Sequence, residues 1–250
     1  MFENKTVLIT GASSGIGRAI AESPALKDSR LILTARRIEL LEEIKNNAGT
    51  NSRIEIIKCD VSNKEDVKSA FEKAESITGK IDIAILSAGI GIAVNPENLD
   101  SSAAEEVIKT NFLSAVYWIE LLLPGFIKRK EGMIVGVSSL ADNRAYGTSF
   151  YNPSKAALSI FLEGLRLDLK RHNIKVITVK PGFVKTSMTD QNNFKMPFLL
   201  TPQRAAEIIL NGIAKEKKII QFPLPTVLLT RMIGLLPLTV YEFLAGKTKK

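Results

Sequence analysis

Short runs dense in Val, Ile and Leu recur along the chain between longer stretches of mixed polarity: TVLIT (6–10), RLILT (30–34), IEIIK (54–58), IDIAILS (81–87), GMIVGVS (132–138) and IKVITVK (174–180). Each run is apolar continuously rather than at alternate positions, which marks strands covered on both faces, and the intervening helical patterns supply that cover. This alternation predicts a doubly wound α/β fold around a parallel sheet. No repeat, low-complexity tract or linker interrupts it up to residue 180, so residues 1–250 read as a single domain. Within it, 1–190 forms the core and 183–200 an irregular loop. A helix follows over 201–215, opened by a Thr cap and a first-turn proline, then a last short strand IIQF and an apolar tail over 222–250. Pro24 falls inside the first helical pattern, GIGRAIAESPALKD, and predicts a kink or break there.

A chain of 250 residues with 45% hydrophobic content can bury a large core. The one cysteine, Cys59, excludes an internal disulfide and reads as a small core residue. The one histidine, His172 in KRHNIKV, reads as a helix-end residue, which argues against His-clustered metal sites and serine–histidine hydrolysis; no metal is expected. The first apolar run is far shorter than the ~7–15 residues of a signal-peptide core, so a cytoplasmic location is the default expectation. The net charge is +8, but its Lys and Arg are scattered, with no basic arm or aromatic-interleaved stripe, so nucleic acid is not an expected partner.

TVLITGASSGIGRAI sets Gly11, Gly15 and Gly17 between the first strand and the first helix. Glycines there let the backbone turn tightly and approach a pyrophosphate, whose charge the helix N-terminus attracts; a plain strand-to-helix turn needs only one. Thr10 to Gly17 meets T-G-x-x-x-G-x-G, the signature of the short-chain dehydrogenase/reductase family, which the chain resembles over roughly residues 5–190. Further matches follow in order: Asp60 and Val61 in CDV, Asn111 in KTNFLSAV, Ser139 in VGVSSLA, Tyr151 and Lys155 as Y-x-x-x-K, and PGFVKTSM from 181. The resemblance implies a Rossmann-type domain. It also implies cofactor contacts from Gly11, Ser13, Ser14, Gly15, Ile16, Gly17, Asp60, Val61, Ala88, Gly89, Tyr151, Lys155, Pro181, Gly182, Val184 and Thr186, with Ser87 at the same turn. One departure is LSAG (86–89) where the family usually reads N-N-A-G. A Ser87 hydroxyl reaches less far than an Asn amide, which puts the side-chain bonds to the central strands in question, at ~1–3 kcal/mol if a buried partner is left unsatisfied.

The second strand ends in LTARR. Where dinucleotide folds place an acid for the ribose 2′-OH, this chain has Ala35 followed by Arg36 and Arg37, and guanidinium groups suit a 2′-phosphate. NADP(H) is the expected cofactor. Tyr151 and Lys155, four apart on a helix, share a face, so a lysine cation beside a phenol whose unperturbed pKa is near 10, together with the positive charge of oxidised nicotinamide, is expected to favour the phenolate. The phenol would then exchange a proton with a substrate oxygen while hydride moves to or from the nicotinamide. By resemblance, Lys155 also holds the nicotinamide ribose, Ser139 bonds the substrate oxygen, with Ser138 the alternative serine, and Asn111 supports a water leading to the lysine. These matches imply an oxidoreductase acting on a ketone or secondary alcohol; the rival reading is a non-catalytic NADP-binding scaffold on the same fold.

The expected substrate walls are 140–150, the 183–200 loop and the tail, mostly apolar, which suggests a hydrophobic carbonyl compound. Helical patterns at 103–128 and 151–170 are apolar on more than one face, and the family pairs these helices, so a homo-oligomer (dimer or tetramer) is expected. Arg231, Pro237 and Glu242 interrupt the tail and argue against a spanning helix. Leu228, Leu229, Met232, Leu235 and Leu236 nevertheless form an apolar stripe with basic residues nearby, consistent with packing on the fold or with peripheral membrane contact.

Overall fold

The computed structural model describes residues 1–49, 53–145, 147–191 and 195–247. Every predicted run forms a strand: β1 Thr6–Thr10, β2 Arg30–Ala35, β3 Ile54–Lys58, β4 Ile83–Leu86, β5 Gly132–Val137, β6 Ile174–Pro181 and β7 Ile219–Phe222. They make one parallel sheet in the order β3-β2-β1-β4-β5-β6-β7. The chain reverses direction across the sheet between β1 and β4, and in open α/β sheets ligands bind at such a switch point, beyond the carboxyl ends of the strands.

Side-chain alternation divides the core in two. Val7 and Ile9 of β1 and Met133 and Val135 of β5 face one layer, with α1 (Gly15–Ala21), α2 (Ile38–Asn47) and α7 (Pro202–Ala214). Leu8 and Ile134 face the other, with α3 (Lys64–Thr78), α5 (Ser114–Arg129) and α6 (Tyr151–Leu169). α4 (Ser101–Ile108) runs into α5 through a π-helical turn, Lys109–Leu113. The continuous helix Ser101–Arg129 is long and apolar enough to cross a membrane by length and composition, yet its Trp118, Ile119, Leu122 and Phe126 are core residues. α6 lies close on β5 because Gly136 leaves room: a Cβ there would sit 2.3 Å from Leu162 Cδ1. This close approach brings the start of α6 beside the end of β5.

The break expected at Pro24 is present. α1 stops at Ala21, and Pro24–Leu26 forms a separate 3-10 turn capped by Ser23. In the 183–200 loop, Val184 bridges to Leu200 and a 3-10 turn spans Thr189–Gln191; residues 192–194 lie outside the described residues. The tail forms two helices, α8 (Leu224–Leu235) and α9 (Leu238–Lys247), separated at Pro237. His172 ends a 3-10 turn before β6, and Cys59 is buried, with burial pushing its thiol up to about 12.

Candidate active site

A cleft of about 550 Å³ opens over the carboxyl ends of the strands. Its wall contains every cofactor residue expected from the sequence, from Gly11 to Thr186, together with Ser139, Tyr151 and Lys155. Asn111 stands behind the wall.

At the floor, the glycine turn is fixed by contacts that admit no side chain. Gly11 has φ +65°, and a Cβ on it would meet Ala88 Cα at 2.8 Å. A Cβ on Gly17 would lie 2.4 Å from Gly11 O and 2.6 Å from Ser87 Oγ. Ser87 settles the question raised by its identity: its hydroxyl donates to Thr10 O at 2.8 Å, and the Thr10 hydroxyl accepts from Ser87 N and Ala88 N at 3.1 and 3.3 Å. The shorter side chain still bonds the central strand, because β4 pairs with β1 through Thr10↔Leu86 and sets Ser87 beside Thr10, while Gly17 leaves room for the hydroxyl.

Arg36 and Arg37 stand exposed at the cleft's far end, beyond β2. Neither forms an ion pair among the described residues. Arg37 instead leans back over the glycine turn and donates from Nη2 to Ser13 Oγ at 3.2 Å. Asp60, nearby, accepts from the Ser62 amide and hydroxyl at 3.0 and 2.8 Å. A narrow turn shaped by glycine, with two cations that lack carboxylate partners at one end, suits a ligand that carries a pyrophosphate.

At the opposite end, Ser139, Tyr151 and Lys155 converge. Lys155 is buried; its Nζ donates to Val137 O at 2.9 Å and lies 5.6 Å from the centre of the Tyr151 ring. Burial lowers the Lys155 ammonium to about 8. The Tyr151 phenol departs from the sequence expectation. It is held above its ordinary value, chiefly by burial and further by the Asp142 carboxylate, while a hydrogen bond with Ser139 acts in the opposite direction. The protein's own groups therefore favour the protonated phenol. The two candidate serines also separate: Ser138 donates to Lys155 O at 2.9 Å, whereas Ser139 is the one that meets the phenol.

Sequence reasoning missed the support around this pair. Asp142 pairs with Lys180 at 2.6 Å and accepts from the Ser159 hydroxyl, which also meets Ser138 Oγ at 2.8 Å. Tight Ser-Ser spacing at a strand end was the only available hint. Asn111, turned inward by the π-helical turn, accepts from Ile90 N at 2.7 Å and donates to Ile90 O and Ser154 Oγ, both at 2.9 Å. Its oxygen also lies 3.3 Å from where a Cβ on Gly89 would stand, and Lys155 Nζ lies 3.2 Å from the same point. Ile90, Gly91, Ser187, Met188 and Thr189 line the cleft as well. The 140–150 segment and the tail, expected as substrate walls, do not line it among the described residues. They pack on each other instead, with Asn143 Nδ2 donating to Thr230 O at 3.2 Å; Tyr146 lies outside the described residues.

Comparison with known proteins gives this arrangement a lineage. A chain from Myxococcus xanthus, an uncharacterized oxidoreductase, is 34% identical over 247 residues, covering 98% of each chain. A short chain dehydrogenase/reductase from Burkholderia phymatum, solved in complex with NAD, superposes with a TM-score of 0.84 at 22% identity, covering 92% of each chain. A short-chain dehydrogenase from Sphingobium yanoikuyae, solved in complex with NADPH, gives 0.80 at 26% identity over 88% of each. The family model for short chain dehydrogenases matches residues 5–196, from just before β1 into the 183–200 loop, and the chain belongs to that family of oxidoreductases.

Proposed function

We propose that this protein is an NADP(H)-dependent oxidoreductase that interconverts a hydrophobic ketone or aldehyde with the corresponding alcohol. The observation that carries this reading is the convergence of Ser139, Tyr151 and Lys155 at one end of a cleft whose other end holds two cations without carboxylate partners. The 26%-identical relative solved with NADPH supports the cofactor class. Gly11 to Gly17 would hold the pyrophosphate, Arg36 and Arg37 the 2′-phosphate, and Lys155 the nicotinamide ribose. When bound, the nicotinamide supplies or accepts the hydride.

Ser139 and Tyr151 orient the substrate oxygen by hydrogen bonds. Because the phenol is held protonated, Tyr151 is set to give its proton to a carbonyl oxygen when the reaction runs as a reduction. Lys155, with an ammonium beside the ring, stabilises the phenolate left behind. Ile90 and Met188 supply apolar surface near this end of the cleft. Ile160 and Leu167, exposed by 71% and 74% on α6, support a homo-oligomer as the working unit.

The test is NADPH consumption against a panel of hydrophobic ketones and quinones, with Tyr151→Phe as control. Turnover that falls by about a hundredfold or more in the variant is expected. Turnover undiminished in Tyr151→Phe would sink the mechanism, and NADPH binding with no turnover on any substrate would favour the scaffold reading.

A further inference from the structure

Half of the large apolar side chains that stand exposed among the described residues lie between Leu224 and Leu244. On α8, Leu224, Leu228, Met232 and Leu235 follow one another at helical spacing, with Met232 exposed by 68% and Leu235 by 86%; Phe243 and Leu244 continue the surface on α9. Only Thr226 and Val227 of α8 are buried. A helix apolar on its outer face needs something to cover that face. The inner face is already engaged. Asn143 bonds Thr230 O, Arg144 bonds Leu236 O and stacks 4.8 Å from the Tyr241 ring, and the Tyr241 hydroxyl donates to Ala145 O.

Charge decides what covers the outer face. From Lys217 to the end, the chain carries six basic residues against one acidic residue, Glu242, a net of +5 out of the whole protein's +8. Two copies meeting face to face through this surface would oppose those charges, whereas a bilayer rich in anionic headgroups complements them. We infer that α8 and α9 dock this protein on an anionic lipid bilayer, with Leu228, Met232 and Leu235 entering the headgroup–acyl boundary and the excess positive charge of residues 217–250 drawing the segment to the headgroups. Docking would hold the segment between Ser139 and Tyr151 near the lipid, since that segment is the one α8 and α9 grip.

The experiment is co-sedimentation of the full chain with phosphatidylcholine vesicles, with and without phosphatidylglycerol, at low and high salt. Pelleting is expected with phosphatidylglycerol present and is expected to weaken several-fold at high salt. The double variant Met232→Glu/Leu235→Glu should lower the vesicle affinity by about tenfold or more at unchanged Tm, since both side chains are exposed. Lys217→Glu/Lys218→Glu should remove most of the phosphatidylglycerol dependence. Tyr151→Phe should pellet like the wild type, which separates this inference from the proposed chemistry. Protein left in the supernatant under all conditions overturns the proposal, as does equal pelleting of the Met232/Leu235 variant. A wild-type mass in light scattering that drops in that variant also overturns it, by assigning the surface to a second copy.

Discussion

Tyr151 and Lys155 occupy one end of the cleft under opposed electrostatic demands. Folded Lys155 loses its proton near pH 8, while in the unfolded chain it does so near its ordinary value of 10.5. Between those values the unfolded state binds more protons, so this residue makes stability rise with pH across that window; at neutral pH its buried charge is a cost. Lys155→Met is therefore expected to stabilise the fold at pH 7, by up to about 3 kcal/mol before the lost bond to Val137 O is counted, and so to raise Tm while turnover collapses. Calorimetry and NADPH assays on the same preparation check both halves. Activity in reduction should decline first as Lys155 loses its ammonium near pH 8, and again in a second alkaline limb as pH rises through the raised pKa of Tyr151, whose protonated phenol is the active form. Asp142→Asn removes a charge that holds the phenol up and should move that alkaline limb to lower pH, read from kcat profiles. An unmoved limb would show that burial alone sets it. At the far end, Arg36→Asp should reverse an NADPH preference, measured as the thermal shift given by each cofactor at matched concentration and low salt.

The strands were legible in the sequence because a strand covered on both faces is a short run dense in Val, Ile and Leu between helical patterns; TVLLT (226–230), a similar run outside that alternation, lies in helix α8. The glycine turn was legible for a similar reason: Gly17 leaves no room for a Cβ, and a backbone constraint of that kind selects one residue type. The π-helical turn was not, since KTNFL has nothing in its composition that distinguishes it from ordinary helix, and the extra residue per turn is imposed by what Asn111 bonds inside. Nor could the Asp142–Ser159 contact be read, because it joins residues 17 apart that meet only once α6 has packed on β5. Asn111→Ala should cost about 1–3 kcal/mol by stranding the amide and carbonyl of Ile90, and should weaken nucleotide binding through the loosened Gly89–Ile90 turn. Denaturant titration with and without NADPH separates the two effects. A stability loss with unchanged nucleotide affinity would limit Asn111 to scaffolding.

For the whole molecule, the proposed oligomer is tested by light scattering. A dimer or larger species is expected at micromolar concentration, and Leu167→Glu, replacing a side chain that is 74% exposed, should shift the mass downward. A wild-type monomer would remove that proposal. A different consequence follows from the edge of the sheet. The last strand, β7, pairs with β6 from Thr178↔Ile219 to Pro181↔Phe222, and Gly182 N donates to Phe222 O at 2.7 Å. Pro181 and Gly182 line the cleft, so a wall of the nucleotide site leans on a strand that is made after the other six. A nascent chain on the ribosome lacks that support until residue 222 has emerged, although its first six strands are already available. The nucleotide therefore meets a complete wall only after the seventh strand has joined the sheet. In arrested nascent chains, protection from protease by NADPH should begin only when β7 has cleared the exit tunnel.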